Sequence, residues 1–228
     1  MVKLEELVDF RQLFNNPDKD KRIIVFVDAE YVIQSLRTIK GKPKDIRIGI
    51  GNIFWNKIID FVVNGRTLQE AIYYSSELDK TENPETYQRQ KDYLAKIKRD
   101  TEKITIRLGK MQKVKVKAEK TWIENTNHQP EILHTWVQKG VDVKITIDLI
   151  VKAVKNEYDT AVLIAGDSDF EEAIKESRSF NKNIELVTFD RYDCGVIESL
   201  SKSANKHKVI NYEFGTGYLW SEFIPRKR

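Results

Sequence analysis

The stretch Ala161-Val162-Leu163-Ile164-Ala165-Gly166-Asp167-Ser168-Asp169-Phe170 decides the fold. Its first five residues are apolar without a polar interruption. A half-exposed strand would alternate, so this run reads as a strand buried on both faces, the kind found in parallel sheets. Gly166 opens a tight turn. Ser168 or Asp169 then offers an oxygen able to cap the amphipathic helix expected at Phe170–Phe180, which Asn181 ends in the left-handed conformation. Upstream, Ile23-Ile24-Val25-Phe26-Val27 repeats the pattern: an apolar run, a terminal Asp28, then a helix over Ala29–Arg37. Downstream, Ile184–Phe189 reads as a third strand. Strands alternating with helices imply βαβ units and an α/β fold.

The rest of the chain fits around these units. Val2–Phe14 reads as a short amphipathic helix stopped at Asn15-Asn16-Pro17-Asp18. Ile53–Val63 is helical up to Asn64-Gly65, and Glu70–Tyr74 is a strand. Pro84–Lys98 is a helix with Asn83 as its cap. Ile104–Glu119 alternates with period two, so one or two half-exposed strands are expected there. Val141–Asn156 and Cys194–Ala204 read as helices, and Gly215–Arg228 as a tail. The expected organisation is an N-terminal helix over residues 1–20, one domain over 21–212 with a basic β-rich insertion at about 96–138, and a tail over 213–228.

Composition narrows the class. With 40% apolar and 32% charged residues among 228, the chain has the balance of a globular protein. It lacks an apolar run of about 18 residues that would span a bilayer. The acidic N-terminus does not resemble a signal peptide. A single cysteine, Cys194, forms no internal disulfide and suits a reducing cytoplasm; it reads as a small helix residue rather than a nucleophile. The net charge of +4 is unevenly spread. Between Lys96 and Lys120 stand ten Lys and Arg against three acids. Such a stretch suits a polyanion through counterion release, or is a solvated face. Lys110, Lys113, Lys115, Lys117 and Lys120 are its candidate phosphate contacts.

The chemistry sits where strands end in aspartate. Asp28 follows one buried run, and Asp167 and Asp169 follow another. In an open parallel sheet, ligands bind beyond the carboxyl ends of strands where the strand order reverses. Acids brought there repel one another, which raises at least one pKa unless a cation neutralises them. Oxygen ligands without Cys or His favour Mg²⁺ or Mn²⁺ over Zn²⁺, and such ions promote in-line phosphoryl displacement. Each acid also has a structural reading as a helix cap. Asp142 and Asp148 share one helix but lie about 120° apart around it, so both cannot easily face one ion. Asp142, at the helix start, ranks above Asp148, whose structural reading is an exposed ion pair with Lys144 and Lys152. His128 and His134 have no partner at ligand spacing. Trp122, Trp136, Tyr73 and Tyr74 read as core residues more readily than as base-stacking platforms.

Taken in order, Asp28 within Ile23–Glu30, Lys139-Gly140-Val141-Asp142-Val143, Asp148-Leu149 and Tyr158–Phe170 resemble the NYN domain in its LabA-like form, a branch of the PIN-like superfamily. The resemblance spans roughly residues 20 to 210 and is closest over 139–189. It implies a three-layer αβα sandwich with a central, mainly parallel sheet. It also implies Mg²⁺- or Mn²⁺-dependent hydrolysis of phosphodiesters, in RNA more than DNA. By position it makes Asp28, Asp142, Asp167 and Asp169 the catalytic and metal-binding acids, with Asp148 a secondary ligand. One departure stands out: three residues after the first Asp the family commonly has Asn, and here Tyr31 stands, a candidate nucleic-acid contact. That departure keeps a second reading open, a nucleic-acid-binding module of the same fold with little or no activity. The sequence leaves a homodimer open and gives no sign of a membrane partner.

Overall fold

The computed structural model describes residues 21–42, 48–117, 132–193 and 197–210. The expected helix at Val2–Phe14, the expected tail, Lys120, Trp122, His128 and Cys194 lie outside these residues. The strands are β1 (Arg22–Asp28), β2 (Thr67–Glu77), β3 (Ile104–Lys117), β4 (Ile132–Lys139), β5 (Thr160–Ile164), β6 (Asn183–Phe189) and β7 (Lys206–Ile210). The helices are α1 (Ala29–Thr38), α2 (Trp55–Val63), α3 (Pro84–Asp100), α4 (Val141–Val154), α5 (Glu171–Ser179) and α6 (Glu198–Ser203).

The two apolar runs become adjacent central strands of a seven-stranded sheet ordered β4-β3-β2-β1-β5-β6-β7. Every pairing is parallel except β3 with β4. Because β1 and β5 carry side chains on both faces, each strand feeds two cores. Ile23, Val25 and Val27, with Val162 and Ile164, pack against α1, α2 and α3 through residues such as Val32, Leu36, Trp55, Ile58 and Ile97. Ile24 and Phe26, with Ala161 and Leu163, pack against α4, α5 and α6 through Ile145, Leu149, Ile174 and Leu200. The result is the three-layer αβα sandwich expected. Each fully buried aliphatic or aromatic side chain contributes about 1.5–3 kcal/mol, so the doubly covered central strands anchor the domain.

Local signals set the element ends as read from sequence. Asn83 caps α3, its side chain accepting from the Thr86 N–H at 2.9 Å. Asn64 and Asn181 adopt positive φ, 50° and 58°, and stop α2 and α5. Three features differ from expectation. First, the basic stretch joins the central sheet: β3 pairs in parallel with β2 from Ala71 to Glu77 before running on. Second, its antiparallel partner β4 has no clear alternation of its own; pairing with β3 makes it a strand. Third, β7 extends the sheet beyond β6. The helix α4 is apolar around most of its circumference and leaves Val143, Ile147, Val151 and Val154 exposed along its outer side. Among the described residues, no helix is long and apolar enough to cross a membrane.

Candidate active site

The strand order reverses between β1 and β5: the chain builds outward from β1 through β2 to β3, then returns to β5 on the other side. Backbone on either side of that switch diverges and leaves a crevice at the carboxyl ends of the strands. Asp28 ends β1 there, and the Gly166-Asp167-Ser168-Asp169 turn follows β5 from the adjacent position. Asp142 arrives from a third direction, in the first turn of α4.

Electrostatics link the three segments. Burial pushes the Asp28 carboxyl up to about 6; the Tyr31 N–H works against that rise, and the charge of Asp142 adds to it. The carboxyl of Asp142 is raised as well, first by partial burial and then by the charges of Asp167 and Asp169. Asp142 therefore feels all three other acids. The donor set, four carboxylates from three segments, fits a hard divalent cation in its chemistry. Among the described residues, no three acidic, His or Cys side chains lie close enough to clasp an ion as they stand.

The capping role read for Asp28 is also real, whereas Asp167, not Ser168 or Asp169, is the acceptor in the second turn. Asp28 caps α1, accepting from Tyr31 N at 3.1 Å. Asp167 accepts from Asp169 N at 2.9 Å and starts the 3-10 turn Ser168–Phe170 that leads into α5. These bonds aim the carboxylates without exhausting them, because each ionised carboxylate accepts about four hydrogen bonds.

Asp148 is engaged with the sheet, and the exposed ion pair expected with Lys144 and Lys152 does not form. The helix register turns Asp148 toward the sheet, where only 6% of the residue is exposed. There it accepts from the Tyr74 hydroxyl at 2.6 Å and pairs with the Arg107 guanidinium. Lys152 turns instead to Glu70 and Glu157, at 2.9 and 2.8 Å. No local signal named Arg107 or Tyr74. They are partners because Asp28, Tyr74 and Arg107 stand in register across β1, β2 and β3.

Tyr31 packs as a wall of the crevice. Its hydroxyl accepts from Phe189 N at 3.0 Å, its ring tilts against Phe189 at 6.0 Å, and the Arg191 guanidinium lies over it at 5.8 Å. A Cβ at position 166 would overlap this ring, so glycine is required where the acid turn begins. Of the basic candidates, Lys110, Lys113 and Lys115 project from β3, while Tyr73 and Tyr74 are core, as expected. Trp136 lies on β4 opposite Lys113, whose ammonium is 5.8 Å from the centre of its ring.

The family model described as the NYN domain matches residues 22–211. No curated protein matches the sequence significantly. Among solved structures, a protein of unknown function from Vibrio parahaemolyticus RIMD 2210633 is similar in fold, with a TM-score of 0.53 and 17% identity over 87% of this chain and 98% of the other.

Proposed function

Because this chain belongs to the NYN domain family, within the PIN-like superfamily of nucleases, we propose that it hydrolyses phosphodiester bonds in RNA, using Mg²⁺ or Mn²⁺ held by Asp28, Asp142, Asp167 and Asp169. The observation that carries this reading is the convergence of acids from three distant segments at the strand-order switch, where burial and then neighbouring charge raise the carboxyls of Asp28 and Asp142. Carboxylates held charged in a partly buried crevice beside other acids are costly to a fold, and a bound cation relieves that cost. A divalent ion bound there supplies a water of lowered pKa and charge for the phosphoryl oxygens.

The chain's own residues do the positioning. Asp28 is fixed by the amide of Tyr31, and Asp167 by that of Asp169. Tyr31 closes one side of the crevice, its ring against Gly166. Asp148 belongs to the support of α4 rather than to the ligand set. Lys113 and Lys115 of β3 supply phosphate contacts. Cys194 remains the ground for a cytoplasmic location.

The test is cleavage of generic RNA by pure protein with Mn²⁺. Activity that vanishes with EDTA and in Asp142→Asn or Asp167→Asn, with the fold intact, supports the reading. Intact single- and double-stranded RNA and DNA after prolonged incubation would remove it. A binding module without turnover is the second reading. It is favoured by Tyr31, whose phenol stands where the family commonly has an amide and is engaged with Phe189. Salt-sensitive binding indifferent to EDTA and to the Asp substitutions, without cleavage, would select it.

A further inference from the structure

Strand β2 ends at Glu77, opposite Lys110, and β3 continues as Met111–Lys117 paired only with β4. At about 3.4 Å per residue this ribbon stands roughly 20 Å beyond the carboxyl edge of the sheet, the edge that carries the acids. The β3–β4 pairing is unbroken from Lys110 to Lys117, so strict alternation sorts its side chains. Gly109 marks one face. A Cβ there would lie 2.5 Å from the Lys139 carbonyl oxygen and 2.8 Å from Val141 Cγ2, so this face meets the turn into α4, whose next residue is Asp142. Met111, Lys113 and Lys115 follow on the same face, with Trp136 directly opposite Lys113. Lys110 and Gln112 fall on the other face.

We propose that the face carrying Lys113, Lys115 and Trp136 is a track for a single strand of nucleic acid, leading it past the Lys139–Val141 turn toward Asp142, and that Lys110 takes no part. Cations on alternate residues, about 7 Å apart, follow one phosphate backbone. An aromatic platform beside them stacks on an unpaired base, which a duplex keeps in its interior. The Lys113–Glu82 pair at 2.7 Å has both side chains more than 40% exposed, at 41% and 44%, so it is weak and yields to a phosphate. The inference rests on the nuclease reading only for the strand's destination; binding itself is measurable without metal or turnover.

The experiment is fluorescence anisotropy in EDTA with a labelled oligouridine, the matching deoxy-oligonucleotide and an RNA duplex of equal length, over a range of salt. The expected result is that Lys113→Gln/Lys115→Gln weakens single-strand binding at least tenfold. It should also flatten the slope of log affinity against log salt by about 1.4, some 0.7 for each phosphate no longer neutralised. Lys110→Gln stays within twofold of the parent. Trp136→Ala weakens single-strand binding severalfold, Trp136→Phe retains most of it, and neither changes duplex binding. Comparing the ribo- and deoxy-oligonucleotides tells which sugar the track prefers. An equal loss in Lys110→Gln, or duplex binding as tight as single-strand binding, would overturn the track. Loss of Mn²⁺-dependent cleavage with this binding intact would overturn the nuclease reading alone.

Discussion

The Arg107 guanidinium on β3 closes on the carboxylate of Asp148 in the middle of α4, and the Tyr74 hydroxyl reaches the other carboxylate oxygen at 2.6 Å. One side chain thus ties α4 to two strands, and the helix that begins with Asp142 is held over the sheet. Burial and then the neighbouring carboxylate keep the Tyr74 hydroxyl protonated and donating.

Asp148 and Asp142 should therefore respond oppositely to substitution. Asp148→Ala leaves a buried hydroxyl and a guanidinium without their acceptor. Arg107 is 44% exposed and can turn to water, so the cost is set nearer 2 than 5 kcal/mol. That corresponds to a fall in Tm of about 6 °C for a domain of this size. Asp142→Asn, at an exposed position, should keep Tm within a degree or two and abolish turnover. Thermal melts and a cleavage assay on both variants check this; equal Tm values would show that the Asp148 contacts contribute nothing.

Asp28 makes the metal-free protein sensitive to pH. Its carboxyl is raised to about 6, above the unfolded value of about 3.9. The folded state therefore holds the proton more tightly than the unfolded state. The stability this gives is complete below pH about 4 and is lost as pH rises through about 6, on the order of 2–3 kcal/mol. In EDTA, Asp28→Asn should equal the parent near pH 4 and melt higher at pH 8. Parallel Tm–pH curves for the two proteins would contradict this.

Gly166 and Tyr31 form a coupled pair. Gly166→Ala forces the Tyr31 ring away from the acid turn and from Phe189, at a cost of about 1–3 kcal/mol. In a Tyr31→Asn background the same substitution should cost less than half as much. A double-mutant cycle from urea denaturation reads the coupling, and additive effects would exclude the contact.

Gly109→Ala tests the link from the β3–β4 ribbon to the site. The obstacle is the Lys139 carbonyl, backbone that cannot swing aside, so the turn into α4 must shift and carry Asp142 with it. Turnover should fall about a hundredfold, the usual effect of misplacing a reacting group by about 1 Å. Oligonucleotide binding in EDTA should change little. Unaltered turnover would mean that Asp142 is positioned independently of β3.

The sequence by itself determined the central pair of strands, the parallel sheet and the acids at its edge. Those features follow from chemistry that is local in the chain: uninterrupted apolar runs at Ile23–Val27 and Ala161–Ala165, breakers such as Asn64 and Asn181, and carboxylates at the strand ends. Helix periodicity alone was enough to part Asp142 from Asp148. Only the tertiary structure decided what Asp148 does, because its partners come from β2 and β3, and strand register is set by long-range pairing that no local pattern encodes. The same holds for β4, which becomes a strand through β3, and for Tyr31, whose ring fills the space left by a distant glycine. It holds again for the basic ribbon, whose lysines divide between two faces once the pairing with β4 fixes the direction of each side chain.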